Sequence, residues 1–489
     1  MYRPCPRLML AALRGGSGKT TLTLGLLAAW RQQGRNIVPF KKGPDYIDPA
    51  WHALAAGRPC YNLDPFLMDR DSMMYSLGTH TAGADGALIE GNRGLYDGLD
   101  AAGAFSTAEL AKLFEAPVVL VVDCTMTTRT AAAIVLGCQK FDPDVAVRGV
   151  ILNQIARPRH EGVLRASIEQ YCGIPVLGAL PRLKCAVFPE RHMGLVPPQE
   201  HDAACQAVLT AQNLARKYLD LERLWQIAQN APNLPAVPLH APYTVQSPPE
   251  PVSIGIIRDA AFQFYYPENL EALVDCGARL VEINALEDAM LPPLDGLYIG
   301  GGFPETNALG LTQNLTFRQA LRNAIEDGLP VYAECGGLMY LGEQIIVREQ
   351  SYPMVGALPL SVLLEKKPQG HGYTVIEVDH PNPYYPVGTK LLGHEFHYSR
   401  LVETDEQKLN LVFRLERGHG VTGQRDGVSY NNVLAAYTHI HALSTPLWAP
   451  ALVGQARKYH SRLTSSESAA QPEQPLALSA AVRARKFLP

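Results

Sequence analysis

Nothing in this chain supplies a strong charge imbalance. Lysine and arginine number 43 against 47 aspartates and glutamates, a formal net charge of -4, with charged residues at only 18%. That balance leaves no electrostatic footprint for a nucleic acid or another polyanion. Long hydrophobic runs are missing as well. The strongest, Ala116 to Val122, has the length of a buried strand and cannot span a membrane. Near the N-terminus only Leu8 to Leu13 is apolar, behind Arg3 and Arg7, too short and wrongly flanked for a signal peptide. The nine cysteines show no Cys-x-x-Cys spacing, which excludes the usual sequence signs of a disulfide framework or a zinc site and points to a reduced, cytoplasmic setting. No short-period repeat is present. What remains is a soluble enzyme of 489 residues, too long for one core and suited to two domains.

The first half alternates short apolar runs with helical patterns: Leu8 to Leu13, Ile37 to Phe40, Ala87 to Ile89, Pro117 to Val122, Val150 to Leu152 and Pro175 to Leu177. This alternation predicts an α/β fold with a mostly parallel sheet covered on both faces, and ligands at the carboxyl ends of its strands. Seven prolines between Gln229 and Pro251 interrupt all periodicity and mark the domain boundary. A second α/β pattern begins at Val252 to Ile257 and continues through Gly296 to Ile299 and Pro330 to Tyr332. The expected division is therefore 1–228, a linker 229–251, a second domain 252–455, and a loose tail 456–489 that includes the polar run Thr464 to Pro475.

Between the first strand and the first helix lies Gly15-Gly16-Ser17-Gly18-Lys19-Thr20-Thr21. Glycines let the backbone N–H groups of a helix N-terminus approach a phosphate closely. Lys19 is then placed to bridge the β- and γ-phosphates and Thr20 to reach Mg²⁺. Leu13 occupies the first glycine position of the strict phosphate-loop pattern, so the run is closer to the Gly-Gly-x-Gly-Lys-Thr-Thr variant of dimeric P-loop ATPases, with Arg14 where those carry lysine. Two later strand ends add carboxylates: Lys41-Lys42-Gly43-Pro44-Asp45-Tyr46-Ile47-Asp48 and Glu90-Gly91-Asn92-Arg93-Gly94-Leu95-Tyr96-Asp97. Mg²⁺ takes one or two carboxylates beside phosphates, which makes Glu90 and then Asp45 its candidate ligands with Thr20. The competing reading of Asp45, Asp48 and Asp97 is that they cap turns rich in glycine and proline.

A second centre of chemistry is Tyr332-Ala333-Glu334-Cys335-Gly336-Gly337, where a tight turn after a strand exposes a thiol at a helix N-terminus and favours its thiolate. Upstream, Gly300-Gly301-Gly302 offers backbone N–H donors for an oxyanion. Three segments compete to supply the base: His394 with His397, His439 with His441, and His371. A phosphate loop and a thiol nucleophile on one chain imply coupled half-reactions, in which ATP activates one substrate and the cysteine releases a nucleophile from another.

With these motifs the chain resembles the cobyrinic acid a,c-diamide synthases, corrin-ring amidases with relatives that act on sirohydrochlorin-type tetrapyrroles. The matching runs extend to about Ala442 and include Lys42 to Pro49, Glu90 to Gly98, Glu190 to Val196, Arg258 to Phe262, Gly300 to Glu305, Ala333 to Leu338 and Gly393 to Ser399. The resemblance implies a P-loop domain similar to dethiobiotin synthetase followed by a class I glutamine amidotransferase-like, flavodoxin-like domain. It implies that ATP with Mg²⁺ activates the a- and c-side-chain carboxylates and that glutamine supplies ammonia. It places Gly16, Gly18, Lys19, Thr20, Thr21 and Asn153 at the nucleotide, Thr20, Asp45 and Glu90 at the metal, and Cys335, His439 and Asp97 in catalysis. Gly301, Gly302, Arg93 and Tyr46 are its oxyanion or substrate candidates. The implied partners are a tetrapyrrole polycarboxylate, glutamine and ATP, with a homodimer as the candidate assembly. Two departures stand out: His441 occupies the position where class I amidotransferases usually carry glutamate, and Asn92-Arg93 leaves a siroheme-type substrate open. The reading from another class is a P-loop regulatory ATPase with a C-terminal binding module, which has no use for Cys335 beside Gly300 to Gly302.

Overall fold

The computed structural model describes residues 2–3, 5–183, 190–191, 194–195, 197–198, 203–235, 243, 250–402 and 408–470. Its first sheet has seven parallel strands in the spatial order Tyr61–Leu63, Ile37–Lys42, Gly86–Glu90, Arg7–Ala12, Val118–Asp123, Val147–Ile155, Val176–Pro181. Every residue of Arg7–Ala12 is buried because helices cover both faces. Leu8, Leu10 and Ala12 join the core beneath the helix Lys19–Gln32, while Met9 and Ala11 join the core on the other face, the period of two that a strand imposes. Against Lys19–Gln32 packs Ala204–Tyr218, whose buried Ala204, Ala207, Ala211 and Ala215 form one small-residue stripe. The approach is close: a Cβ on Gly25 would lie 2.4 Å from the Ala211 carbonyl oxygen.

In the second domain, ten strands form one sheet. Its first half is parallel in the order Ala278–Ile283, Val252–Ile257, Gly296–Ile299, Val331–Glu334, Val433–Ala436, which is the flavodoxin-like order 2-1-3-4-5. The other half is antiparallel and continues through Arg425–Tyr430, Leu411–Arg417, Gly370–Val378 and Lys390–His397 to His439–Ile440. The sheet thereby curls, since its last strand follows Val433–Ala436 after two residues and pairs His439 with His394.

The expected loose tail from residue 456 is corrected. The helix Trp448–Ala470 packs on Val252–Ile257 and Gly296–Ile299, burying Ala449, Leu452, Val453 and Ala456 at helical spacing. Farther along, Arg457 Nη2 donates to the Cys276 carbonyl at 2.7 Å and His460 Nδ1 lies 2.8 Å from Asp295 Oδ1. Residues 471–489 lie outside the described residues, as do most of the proline-rich 229–251 stretch and part of the Glu190 to Val196 run. Among the described residues no helix is long and apolar enough to cross a membrane, and the cysteines form no disulfide.

The two domains touch along a polar and aromatic seam. Tyr373 Oη donates to Asp64 Oδ2 at 2.9 Å, Tyr61 Oη donates to Glu271 Oε1 at 2.9 Å, and Tyr46 stacks on Phe264 with 5.0 Å between ring centroids.

Candidate active sites

The loop after Arg7–Ala12 turns through left-handed conformations at Gly16 (φ 71°) and Gly18 (φ 93°), which an L side chain resists. A Cβ on Gly15 or Gly16 would meet nothing within 4 Å, whereas one on Gly18 would lie 2.3 Å from Asn153 Nδ2. Asn153 in turn donates to the Ser17 carbonyl at 2.9 Å and so braces the loop from the end of Val147–Ile155, one strand beyond Val118–Asp123. The helix Lys19–Gln32 has no side-chain cap and no acidic residue in its first turn, where Thr20 and the half-buried Thr21 lie. Lys19 Nζ donates to the Arg93 carbonyl at 2.9 Å, and Arg14 pairs with Asp123 at 2.8 Å. Burial lowers the Lys19 ammonium from its ordinary value, against the opposing pull of Glu90.

Three strand ends converge beside Thr20. Its hydroxyl lies 3.0 Å from Glu90 Oε1 and 3.4 Å from Asp48 Oδ2. Between the carboxylates sits Lys41, whose Nζ is 2.5 Å from Asp48, 2.7 Å from Glu90 and 3.8 Å from Asp45. His52 Nε2 closes the cluster at 2.9 Å from Glu90 Oε2. Burial alone would raise the Glu90 carboxyl, but Lys41 and His52 outweigh it and hold it well below the ordinary range. Burial and the neighbouring Asp48 push Asp45 up to about 7. Asp45 also serves as a turn cap, since its Oδ1 accepts from the backbone N–H groups of Ile47 (2.9 Å) and Asp48 (3.1 Å) while Oδ2 faces Lys41.

Asp97 is not drawn into this cluster. It is exposed, accepts from the Gly94 N–H at 2.8 Å, and reaches Lys19 only through its field. Arg93 is exposed too, with φ 50°, and its charge is felt by Lys42 and Tyr373 at the domain seam. Among the described residues no three His, Cys, Asp or Glu side chains form a closed metal cage. Thr20, with Glu90 at 3.0 Å and Asp48 at 3.4 Å, offers hard oxygens of the kind Mg²⁺ takes alongside water and phosphate, and Asp45 reaches the cluster at 3.8 Å from Lys41. Sequence reasoning gave no role to His52. The available signal was its spacing of four from Asp48 on the helix Ile47–Ala56, which puts both on one face.

The thiol centre rests on backbone strain. Cys335 has φ 48° and ψ -99°, the sharp turn between Val331–Glu334 and the helix Gly336–Leu341, and its N–H donates to the Ala436 carbonyl at 2.7 Å. One expectation is corrected here. Burial pushes the Cys335 thiol up, the nearby Glu305, Glu334 and Asp426 add to the effect, and the Gly336 N–H only partly offsets them, so the turn by itself does not favour thiolate. The thiol therefore requires a proton acceptor.

The three histidine segments differ in what surrounds them. His371 is exposed on its strand. His397 lies face to face with Tyr437 at 3.7 Å, and its Nδ1 is 2.8 Å from the Ser399 carbonyl. His394 contacts Tyr266 Oη through Nε2 at 2.7 Å and is held well below the ordinary imidazole range by burial, then by His439 and His441. His439 is buried, stacks on His394 at 4.9 Å, and places Nδ1 3.4 Å from Glu334 Oε2. A Cβ on Gly301 would come within 2.5 Å of His439 Cε1 and 3.3 Å of Nε2, so this ring edge faces the glycine loop. Gly302 N lies 3.1 Å from where a Cβ on Gly336 would be, which brings the loop against the nucleophile turn.

Tyr46 links the two centres. Its ring lies 5.3 Å from His439, 5.7 Å from His394 and 4.6 Å from Tyr266, while the adjacent Asp45 belongs to the carboxylate cluster.

A phosphate-type loop on a parallel sheet, joined to a strained cysteine turn on a flavodoxin-like sheet, defines a nucleotide-binding domain fused to a glutamine amidotransferase domain. Residues 8–196 match the CobQ/CobB/MinD/ParA nucleotide binding domain, and residues 253–447 match the CobB/CobQ-like glutamine amidotransferase domain. The chain belongs to the cobyrinate a,c-diamide synthase family. It is 46% identical over 451 residues to the cobyrinate a,c-diamide synthase of Magnetococcus marinus, covering 91% of this chain and 96% of that one. With that of Archaeoglobus fulgidus the identity is 42% over 457 residues, covering 93% and 98%.

Proposed function

We propose that this enzyme amidates the a- and c-side-chain carboxylates of cobyrinic acid, consuming ATP and glutamine. The observation that carries the coupling is Tyr46, which sits against His439 while its neighbour Asp45 lies in the cluster beside Thr20. In the thiol centre, His439 accepts the Cys335 proton and the thiolate attacks the carboxamide carbon of glutamine. Backbone N–H groups of Gly301 and Gly302 stabilise the oxyanion. The C–N bond then breaks as His439 returns the proton to nitrogen, releasing ammonia, and water hydrolyses the thioester to glutamate.

At the other centre the loop Gly15–Lys19 holds the ATP phosphates, braced by Asn153, and Lys19 exchanges its carbonyl partners for phosphate oxygens. Mg²⁺, held by Thr20, Asp45 and Glu90, would neutralise charge on the transferring group. A side-chain carboxylate oxygen takes the γ-phosphoryl group and ADP leaves. Ammonia attacks the acyl carbon, phosphate departs, and the amide loses the surplus proton. Arg93 and Lys42, whose charges act on each other beside the seam, are cations that suit the remaining macrocycle carboxylates. Asp97 orders the Arg93 turn and keeps negative charge beside Lys19. The cysteines, unpaired among the described residues, suit a reduced cytoplasm.

Cys335→Ser tests the division of labour. Glutamine-driven amidation should vanish while concentrated ammonium at alkaline pH restores product, as read by mass spectrometry. Lys19→Ala should abolish amidation from either nitrogen source and spare some glutamine hydrolysis. Equal loss with both nitrogen sources in Cys335→Ser, or ammonia-driven product from Lys19→Ala, would overturn the assignment.

A further inference from the structure

We infer that Glu334, the residue immediately before the nucleophile, is the carboxylate that orients His439, replacing the glutamate that this class usually carries two positions after the histidine. The inference rests on the reading of Cys335 and His439 as the glutaminase pair. At the usual position stands His441, fully buried, with Nε2 turned to within 3.6 Å of Glu268 and Nδ1 accepting from the Leu443 N–H at 3.2 Å. Among the described residues, the carboxylate oxygen that lies within ion-pair distance of a His439 nitrogen is Glu334 Oε2, at 3.4 Å from Nδ1.

Glu334 is fully buried and fixed at both oxygens. Oε1 accepts from the Ile440 N–H at 3.1 Å, and Oε2 accepts from Tyr298 Oη at 3.0 Å. Asn269 completes the frame by donating to the Ile440 carbonyl at 3.1 Å and accepting from the Ala442 N–H at 2.7 Å. One carboxylate therefore holds the backbone after His439 and lies within ion-pair distance of the ring. Glu334 Oε2, 3.4 Å from Nδ1, is placed to favour a proton on that nitrogen, which leaves the Nε2 lone pair on the edge that faces Gly301, the tautomer a base needs.

The electrostatics separate this role from simple packing. Glu334 lies among the charges that raise the Cys335 thiol, so acting alone it hinders thiolate formation. Its benefit must come through the imidazolium that forms when His439 takes the proton. The other titratable groups around the ring are His394, stacked on it, and Tyr46 from the first domain, with Tyr266, Tyr298, Glu268 and His441 beyond.

Glu334→Gln keeps the volume and an acceptor for the Ile440 N–H but removes the anion. Glutamine hydrolysis should lose about 10²–10⁴ in kcat with little change in KM for glutamine. The acid limb of Cys335 alkylation by iodoacetamide, which reports His439, should move to lower pH. Ammonia-driven amidation and the Tm should hold, and Glu334→Asp should recover part of the hydrolysis. Hydrolysis within threefold of wild type with an unchanged alkylation profile would overturn the inference. So would parallel loss of ammonia-driven amidation and Tm in the Gln variant, which makes Glu334 a packing residue. Glutamine-driven amidation by Cys335→Ser would instead remove the underlying pair.

Discussion

Gly301→Ala offers the sharpest geometric test of the thiol centre. The added Cβ would sit 2.5 Å from His439 Cε1, against about 3.4 Å for an ordinary carbon contact, so the ring must retreat by roughly 0.9 Å. Retreat is opposed by His394, stacked at 4.9 Å, and by Tyr46 at 5.3 Å. Gly301 is not among the residues with positive φ, so alanine suffers no backbone strain there and the effect is purely steric. Misplacing a catalytic group by about 1 Å costs on the order of 100-fold in rate, equivalent to about 2.7 kcal/mol of barrier. The measurements are glutamate release from glutamine, ammonia-driven amidation and Tm on the same preparation. The first should fall by about two orders of magnitude and the second should persist. Glutamate release at the wild-type rate would show that the His439 edge facing Gly301 has no part in the chemistry.

Two further outcomes follow from the seam and from the buried imidazole. Tyr46→Ala removes the ring between the centres, so glutamine hydrolysis should continue while the ratio of glutamate formed to amide formed rises well above one; a ratio unchanged from wild type would refute the bridging role of Tyr46. His394 is held neutral, with its folded-state affinity for protons below that of the unfolded chain. Its contribution to stability is therefore present above the ordinary imidazole value of 6.5 and is lost as pH falls below it, by up to about 1.4 kcal/mol per pH unit. Urea midpoints at pH 7.5 and at about pH 5.5 should differ less in His394→Gln than in wild type, and an identical pH dependence would sink the argument.

The parallel strands were legible in the sequence because burial on both faces writes them as continuous apolar runs. Leu8 to Leu13, Ala87 to Ile89 and Pro117 to Val122 each fall on a strand of the first sheet. The antiparallel half of the second sheet was not, since strands such as Gly370–Val378 mix buried and half-buried residues and carry glycines that mask the pattern. The C-terminal helix was cut short for a related reason. Its polar end, from Thr464, resembles a tail, while the burial of Leu452, Val453 and Ala456 depends on a sheet assembled from distant segments. Strand-end position pointed to Glu90 and Asp45, which lie with Lys41 in one buried cluster, and turn chemistry pointed to Cys335, which sits in a strained turn. Lys41 among the carboxylates, and Glu334 beside His439, depend on convergence that spacing does not encode.

Convergence also explains why one short peptide can serve both reactions. The strand Ile37–Lys42 delivers Lys41 to the carboxylate cluster, and the turn that follows must place Asp45, one residue before the helix N-cap Tyr46, where it accepts from the Ile47 and Asp48 N–H groups at the start of the helix Ile47–Ala56. These two bonds span Tyr46 and fix the backbone on either side of it, so its side chain has little freedom and leaves the first domain toward Phe264 and His439. A change at Asp45 will therefore disturb more than the metal site proposed for it. Asp45→Ala frees the N–H groups of Ile47 and Asp48, loosens the turn, and should alter the packing of Tyr46 against the imidazole stack. Conversely, a nucleotide placed beside Thr20 as proposed would bear on Asp48, whose N–H donates to Asp45, the neighbour of Tyr46 against His439. Coupling between the half-reactions then requires no long pathway: the two centres share one capped turn.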